Sequence, residues 1–174
     1  MQLKQLELEG GGTLTVYLRD SCERMPKAID RPLVLVVPGG GYTHVSAREG
    51  DPVALQFAAA GYHAAVLDYA ICEQAKDGLP LRQLAQAIGL VRQHAAGWHI
   101  LPEKIAVCGF SAGGHLALSG AVLDIPGERA QPRPDAVNPG LSGDHRRTVC
   151  PPRQLCAAGG QHRPGGTAGI RSGG

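Results

Sequence analysis

One serine lies between glycines at the junction of a predicted strand and a predicted helix. Gly109-Phe110-Ser111-Ala112-Gly113 matches G-x-S-x-G, and this context indicates a nucleophile held in a tight, strained turn. Glycine at the two flanking positions would avoid collisions with the adjoining strand and helix. Ser111 would then stand at a helix N-terminus, where free N–H groups, including that of Ala112, favour developing negative charge. The alternative is a serine that only caps an ordinary helix.

A second glycine loop follows an earlier apolar run. Residues 33–37 read LVLVV and end at Pro38-Gly39-Gly40-Gly41-Tyr42. Its bare backbone N–H groups could reach the same edge of a sheet as the serine, and the two loops together describe an oxyanion hole. A dinucleotide site is a rival interpretation, with Asp68 as the ribose-binding acid. The G-x-G-x-x-G spacing fails, because His44 stands where the third glycine is needed.

The surrounding pattern predicts the elements that position these loops. Alternating apolar residues around three glycines predict a hairpin over 6–18. Strands at 33–37, 63–69 and 104–109 alternate with helices at 52–60, 80–96 and 112–123, which predicts an α/β fold with a parallel sheet. We expect Asp51 to cap the first helix, with Pro52 at its first position. The loops at 38–42, 68–69 and 109–113 should share the edge formed by the carboxyl ends of the strands.

The two glycine motifs carry a resemblance to a known fold. PGGGYTHVSAREGDPVALQFAAAGYHAAVLDY and KIAVCGFSAGGHLA resemble the α/β-hydrolase fold, and within it the esterase/lipase group of acetyl esterases, acetylxylan esterases and feruloyl-esterase-like (BD-FAE-like) domains. The resemblance covers about residues 32–123. It implies a doubly wound, mostly parallel sheet with an N-terminal antiparallel hairpin.

The same resemblance implies an acyl-transfer site. Ser111 would be the nucleophile, Gly40, Gly41 and Ala112 would supply the oxyanion N–H groups, and Gly109 and Gly113 would form the elbow. No metal or organic cofactor is needed. The implied partner is a small ester, such as an acetylated sugar.

Other reactive side chains have structural interpretations. We interpret His115 as a packing residue, too near Ser111 in sequence to be its base in this fold. His44 could line an acyl pocket or serve as a surface or hydrogen-bonded histidine. Cys108 would be an inert thiol in a buried strand, and Asp68 an anchor for loops.

Composition excludes several classes of protein. A formal net charge of +2 gives no reason to expect nucleic acid or an anionic membrane as a partner. The five cysteines lack C-x-x-C spacing and are odd in number, so neither a disulfide framework nor a zinc site is indicated. No apolar run is long enough to span a membrane, and the N-terminus lacks a signal-peptide pattern, so we expect a cytoplasmic protein.

The last 37 residues differ from the rest. Residues 138–174 contain nine Gly, four Pro, five Arg, no Lys and one acidic residue. We therefore predict a partial α/β-hydrolase domain over 1–137, with a sheet that is incomplete at the C-terminus, followed by a tail that is either frame-shifted or disordered.

This division bears on activity, because the resemblance places the triad acid and histidine after Ser111. The acids and histidines that follow do not lie after convincing strands: Asp124, Glu128, Asp135, Asp144, His145 and His162. The chain is thus either a serine esterase by descent or a non-catalytic remnant of one.

Overall fold

The computed structural model describes residues 1–21, 30–125 and 132–140. In chain order the elements are β1 (Gln2–Glu7), β2 (Thr13–Leu18), β3 (Arg31–Val37), α1 (Asp51–Ala59), β4 (His63–Asp68), α2 (Leu79–Trp98), β5 (Ile100–Phe110), α3 (Ala112–Val122) and β6 (Ala136–Gly140). Short 3-10 turns lie at Glu9–Gly11, Ala47–Glu49 and Cys72–Gly78. The predicted alternation of strands and helices is confirmed.

The strands form one sheet in the order β1-β2-β4-β3-β5-β6. β1 pairs antiparallel with β2, and β2 pairs antiparallel with β4, whereas β4, β3, β5 and β6 are parallel to their neighbours. The predicted mostly parallel sheet with an N-terminal hairpin is therefore confirmed. Since β4, β3 and β5 are adjacent and point the same way, the loops that follow them meet at one edge.

Helices cover both faces of the sheet, as a continuous apolar strand requires. On β3, Leu33, Leu35 and Val37 join the core cluster that includes residues of α2 and α3. The alternating residues Val34 and Val36 pack in the cluster that includes α1. This arrangement explains why LVLVV shows no polar alternation.

The start of α1 differs from the sequence prediction. Gly50, not Asp51, occupies the N-cap position, and Asp51 begins the helix. The Asp51 carboxylate instead accepts a hydrogen bond from the Tyr17 hydroxyl at 2.6 Å. Burial, together with this carboxylate, raises the pKa of Tyr17 to about 12. The cap prediction was wrong because the carboxylate binds across to β2 instead of to its own helix.

β6 runs past residue 137, the end of the domain that the sequence predicts. Its pairing with β5 continues, with Pro139 opposite Gly109 and Gly140 opposite Phe110. Residues 141–174, on which most of the tail prediction falls, lie outside the described residues. Within the described part of the chain, no helix is both long and apolar enough to cross a bilayer.

Candidate active site

Ser111 adopts a backbone conformation that is costly for a serine. Its φ is +48° and its ψ is −115°, at the point where β5 ends and α3 begins. A non-glycine residue in such a conformation stores strain that the surrounding structure must support. The side chain is exposed and makes no capping hydrogen bond, so Ser111 does not do what an ordinary capping serine does.

The two glycines of the motif lie where no side chain fits. A Cβ on Gly113 would come within 2.1 Å of the Val37 carbonyl oxygen and 2.4 Å of the Pro38 carbonyl oxygen. A Cβ on Gly109 would come within 2.3 Å of the Gly113 carbonyl oxygen. The start of α3 therefore touches the end of β3, which fixes the turn that carries Ser111.

The glycine loop lies directly against this turn. A Cβ on Gly39 would meet the Phe110 carbonyl oxygen at 2.7 Å and the Ser111 Cβ at 3.2 Å. Gly40 and Gly41 have φ values of +135° and +62°, conformations that glycine adopts at little cost. Among the described residues, neither of their N–H groups donates a hydrogen bond to a backbone or side-chain acceptor. These two donors remain available directly after Gly39, whose Cα lies against the Ser111 turn.

A third candidate donor comes from the helix. Ala112 begins α3, and the N–H groups of a first helical turn have no acceptor within the helix. The positive end of the helix dipole adds to their attraction for negative charge. The Ser111 loop and the glycine loop thus bring Gly40, Gly41 and Ala112 to one edge of the sheet.

Two side chains hold the base of the glycine loop, and neither was selected from the sequence. The buried Tyr69 hydroxyl donates to the Pro38 carbonyl oxygen at 2.8 Å. Burial, followed by nearby Tyr42, Glu49 and Asp68, raises the pKa of Tyr69, so this hydroxyl keeps its proton and remains a donor. On the other side of the same peptide, the Gly39 N–H donates to Glu49 Oε2 at 2.9 Å.

A groove of about 410 Å³ begins one helical turn beyond Ser111. The Tyr42 hydroxyl lies 2.9 Å from Nδ1 of His115 on its wall, and the Cys72 N–H donates to the Tyr42 carbonyl oxygen at 2.7 Å. The rest of its lining is mainly small or aliphatic, including Leu81 and Leu116. The groove therefore combines an apolar floor with the polar Tyr42–His115 pair, and Lys76 and Ser119 also line it.

His115, interpreted from the sequence as a packing residue, does pack edge to face against Tyr42, with ring centroids 6.0 Å apart, but it is not part of the core. Its side chain is exposed, because four residues after Ser111 it stands on the face of α3 that borders the groove. His44 is also exposed and its ring lies 3.2 Å from the Thr43 hydroxyl. Cys108 is buried, and Asp68 is exposed at the end of β4.

The acids that follow Ser111 have other partners where the structure describes them. Asp124 pairs with Arg133. Asp135 accepts from both Arg92 at 3.2 Å and the Ile105 N–H at 2.9 Å, beside the middle of β5 rather than at its carboxyl end. The other candidates, Glu128, Asp144, His145 and His162, lie outside the described residues. Within the described ranges, His, Cys, Asp and Glu side chains form no group of three that could hold a metal ion.

Comparison with known proteins assigns this chain to a family. The family model of BD-FAE matches residues 22–127, which include both glycine motifs and the segment between them. The chain belongs to the BD-FAE family. The resemblance that the two motifs carried is thereby confirmed.

Solved structures similar to this BD-FAE chain are α/β-hydrolases. The α/β-hydrolase MGS-M1, from a Medee basin deep-sea metagenome library, is 39% identical, with a TM-score of 0.71 over 79% of this chain and 55% of its own. The carboxylesterase Cest-2923 from Lactobacillus plantarum WCFS1 is 28% identical, with a TM-score of 0.70 over 91% of this chain and 66% of its own. The chain therefore spans little more than half to two thirds of these structures.

Relatives that carry acetyl-ester names are also similar. The acetyl ester-xyloside bifunctional hydrolase from Caldicellulosiruptor lactoaceticus is 37% identical, with a TM-score of 0.61 over 75% of this chain and 48% of its own. An acetylxylan esterase from Xylanibacter ruminicola is 33% identical over 48% of this chain and 18% of that protein. The esterase character of the family is clear from these relatives.

Proposed function

We propose that this BD-FAE chain carries the nucleophile and oxyanion half of a serine carboxylesterase. The observation that carries the proposal is the strained, exposed Ser111, which has a glycine loop with two available N–H groups against its turn. A helix N-terminal N–H on the other side, from Ala112, completes a set of donors suited to an oxyanion.

The reaction we propose has two half-reactions. Ser111 Oγ attacks the ester carbonyl carbon, its proton passes to a base, and the carbonyl oxygen becomes an oxyanion bound by Gly40, Gly41 and Ala112 N–H groups. The C–O bond to the alcohol then breaks, and the alcohol leaves with a proton. Water attacks the acyl-enzyme in the same way, releasing the carboxylic acid and restoring the Ser111 hydroxyl.

The base is the part of this mechanism that decides whether this chain turns over substrate. In the α/β-hydrolase esterases that the chain resembles, the base is a histidine oriented by an acid, and both residues follow the nucleophile in the chain. Asp124 and Asp135 are engaged by Arg133 and Arg92. A chain without a working base would bind an ester and leave it intact, which is the behaviour of a non-catalytic remnant.

We infer that the substrate class is a small acetyl ester, with an acetylated sugar as the favoured alcohol. Support comes from relatives named for acetylxylan and for acetyl ester-xyloside hydrolysis. The groove beside Ser111, with its Tyr42 and His115 pair, offers hydrogen bonds that suit a hydroxyl-rich alcohol.

Hydrolysis of an aryl acetate by the full chain tests the proposal. We expect acetate release by the wild type to fall to the buffer rate in Ser111→Ala. The substrate class is tested by comparing the rate of acetate release from acetylated xylo-oligosaccharides with the rate of hydrolysis of an aryl butyrate. Equal hydrolysis by the wild type and Ser111→Ala would rule out Ser111 as the nucleophile.

A further inference from the structure

The peptide that joins Pro38 to Gly39 is the joint between the glycine loop and the Ser111 turn. Gly39 is buried, and its Cα lies so close to the turn that an added Cβ would meet both Phe110 and Ser111. The two candidate oxyanion donors, Gly40 and Gly41, follow directly along the chain. A displacement of Gly39 would therefore move both donors relative to the serine.

Ser46 and Glu49, at the two ends of the Ala47–Glu49 turn, bind both backbone polar groups of Gly39. Glu49 Oε2 accepts the Gly39 N–H at 2.9 Å, and the Gly39 carbonyl oxygen accepts the Ser46 N–H at 2.9 Å. The backbone of Glu49 is also held, because its N–H donates to the Ser46 carbonyl oxygen at 3.0 Å. The half-buried carboxylate of Glu49 thus reaches back ten residues to fix the loop's first glycine.

The loop needs such a restraint because glycine residues restrict the backbone conformation very little by themselves. Gly40 and Gly41 both have positive φ, and glycine populates many other conformations with similar ease. Beyond Gly39, the Thr43 and His44 N–H groups donate to the Gly40 carbonyl oxygen at 3.1 and 3.3 Å, and the Cys72 N–H donates to the Tyr42 carbonyl oxygen at the far end of the loop. Glu49 supplies a side-chain contact that orients the loop from outside it.

We propose that Glu49 is a positioning residue that holds the oxyanion donors against Ser111. This inference rests on the proposed function, and Glu49 itself need not touch substrate. What Glu49 contributes is a hydrogen-bond acceptor at the right reach. Its negative charge brings no benefit to a nearby oxyanion, since like charges repel. Reach and charge can therefore be separated by substitution.

Three variants separate these properties. Glu49→Gln keeps the reach and an acceptor oxygen but removes the charge, Glu49→Asp keeps the charge but draws the acceptor back by one methylene, and Glu49→Ala removes both. Arg48→Ala, at an exposed neighbour in the same turn, is the matched control. Since direct loss of one oxyanion donor slows catalysis by about 10²–10³-fold, we expect roughly tenfold or more from displacing the donors.

The first measurement is the concentration dependence of inactivation by a fluorophosphonate, which separates reversible binding from the rate of phosphonylation at Ser111. We expect Glu49→Ala and Glu49→Asp to slow phosphonylation by roughly tenfold or more with unchanged reversible binding. Glu49→Gln and Arg48→Ala should react at the wild-type rate. A Gln variant as slow as the Ala variant, or an Ala variant as fast as wild type, would overturn the proposal.

The second measurement does not depend on catalysis and is made in the Ser111→Ala background. Amide hydrogen exchange is followed at Ser46 and His44, whose N–H groups bind the glycine loop. Glu49→Ala and Glu49→Asp should speed exchange at both amides and leave Leu35 and Val36 of β3 unchanged. A wild type that does not react with the fluorophosphonate would contradict the proposed function but not the role of Glu49. Unchanged exchange at Ser46 and His44 in Glu49→Ala and Glu49→Asp would contradict the role of Glu49.

Discussion

The hydroxyl of Tyr42 lies 2.9 Å from Nδ1 of His115, and the pair forms the polar wall of a groove that begins one helical turn beyond Ser111. Tyr42 reaches this position with a positive φ of +60°, directly after the glycine loop. Burial raises the pKa of Tyr42, so its hydroxyl keeps its proton at neutral pH. The loop proposed to hold the oxyanion and the groove proposed to hold the alcohol are thus continuous in the chain.

His115→Ala should weaken substrate binding without slowing the chemical step. Loss of one hydrogen-bonding group is worth about 0.5–1.5 kcal/mol, so we expect KM for an acetylated oligosaccharide to rise about twofold to tenfold at constant kcat. Leu118→Ala, at an exposed position on the same helix but outside the groove lining, is the control. A fall in kcat with unchanged KM would contradict the assignment of this groove to substrate binding.

Gly113→Ala should destabilise the fold severely. The new Cβ would overlap the Val37 and Pro38 carbonyl oxygens at 2.1 and 2.4 Å, and these are backbone atoms that cannot rotate away. We expect the free energy of unfolding to fall by about 1–3 kcal/mol or more in urea denaturation. Gly97→Ala in α2, where an added Cβ meets nothing within 4 Å, should instead stabilise by about 0.5–1 kcal/mol. Equal effects at the two sites would contradict the close contact between α3 and β3.

Tyr69→Phe should cost about 1–3 kcal/mol of unfolding free energy, because it leaves the Pro38 carbonyl oxygen without its buried donor. Tyr42→Phe removes a hydroxyl whose hydrogen bond to His115 is exposed to solvent, and should cost less than about 1 kcal/mol. Urea denaturation of the two variants compares them directly. A Tyr69→Phe variant as stable as Tyr42→Phe would show that this hydroxyl does not support the loop.

His63 should make the fold sensitive to acid. It is 1% exposed, accepts the Arg19 N–H on Nδ1 at 3.1 Å, and has Nε2 3.1 Å from the His99 carbonyl oxygen. Burial lowers its pKa, and the nearby Arg31, His99 and Arg19 lower it further, while the bond to His99 opposes the shift. The folded state therefore favours the neutral ring with its proton on Nε2.

The sign of the pH effect follows from that preference. The unfolded chain protonates His63 near its ordinary pKa of about 6.5, whereas the folded chain does so only at lower pH. The contribution is fully present above pH 6.5 and is lost as the pH falls below it. Denaturation in urea at pH 7.5, 6.5 and 5.5 should show a smaller loss of stability for His63→Gln than for wild type. His44→Gln, at an exposed histidine, is the matched control, and parallel curves for all three proteins would contradict this prediction.

The parts of the fold and site that the sequence predicts are those encoded locally. LVLVV is apolar because both faces of β3 are covered, and G-x-S-x-G combines a strand end, a helix start and two positions that tolerate only glycine. Each of these signals occupies a few consecutive residues. Periodicity and turn chemistry are enough to find them.

The parts that the sequence does not predict are polar contacts between distant segments. Glu49 binds Gly39 ten residues away, Tyr69 binds Pro38 thirty-one residues away, and Asp51 binds Tyr17 thirty-four residues away. A single side chain of this kind has no periodicity. Its partner is fixed only once the sheet has brought the segments together, which is why Asp51 was expected to cap its own helix.

The most direct test of Ser111 as the nucleophile is the site of covalent labelling by a fluorophosphonate, located by peptide mapping of the full chain. We expect one added phosphonyl group on Ser111 in the folded wild type, and none in Ser111→Ala or in heat-denatured protein. An unlabelled wild type, or equal labelling of wild type and Ser111→Ala, would contradict the claim that Ser111 is an activated nucleophile.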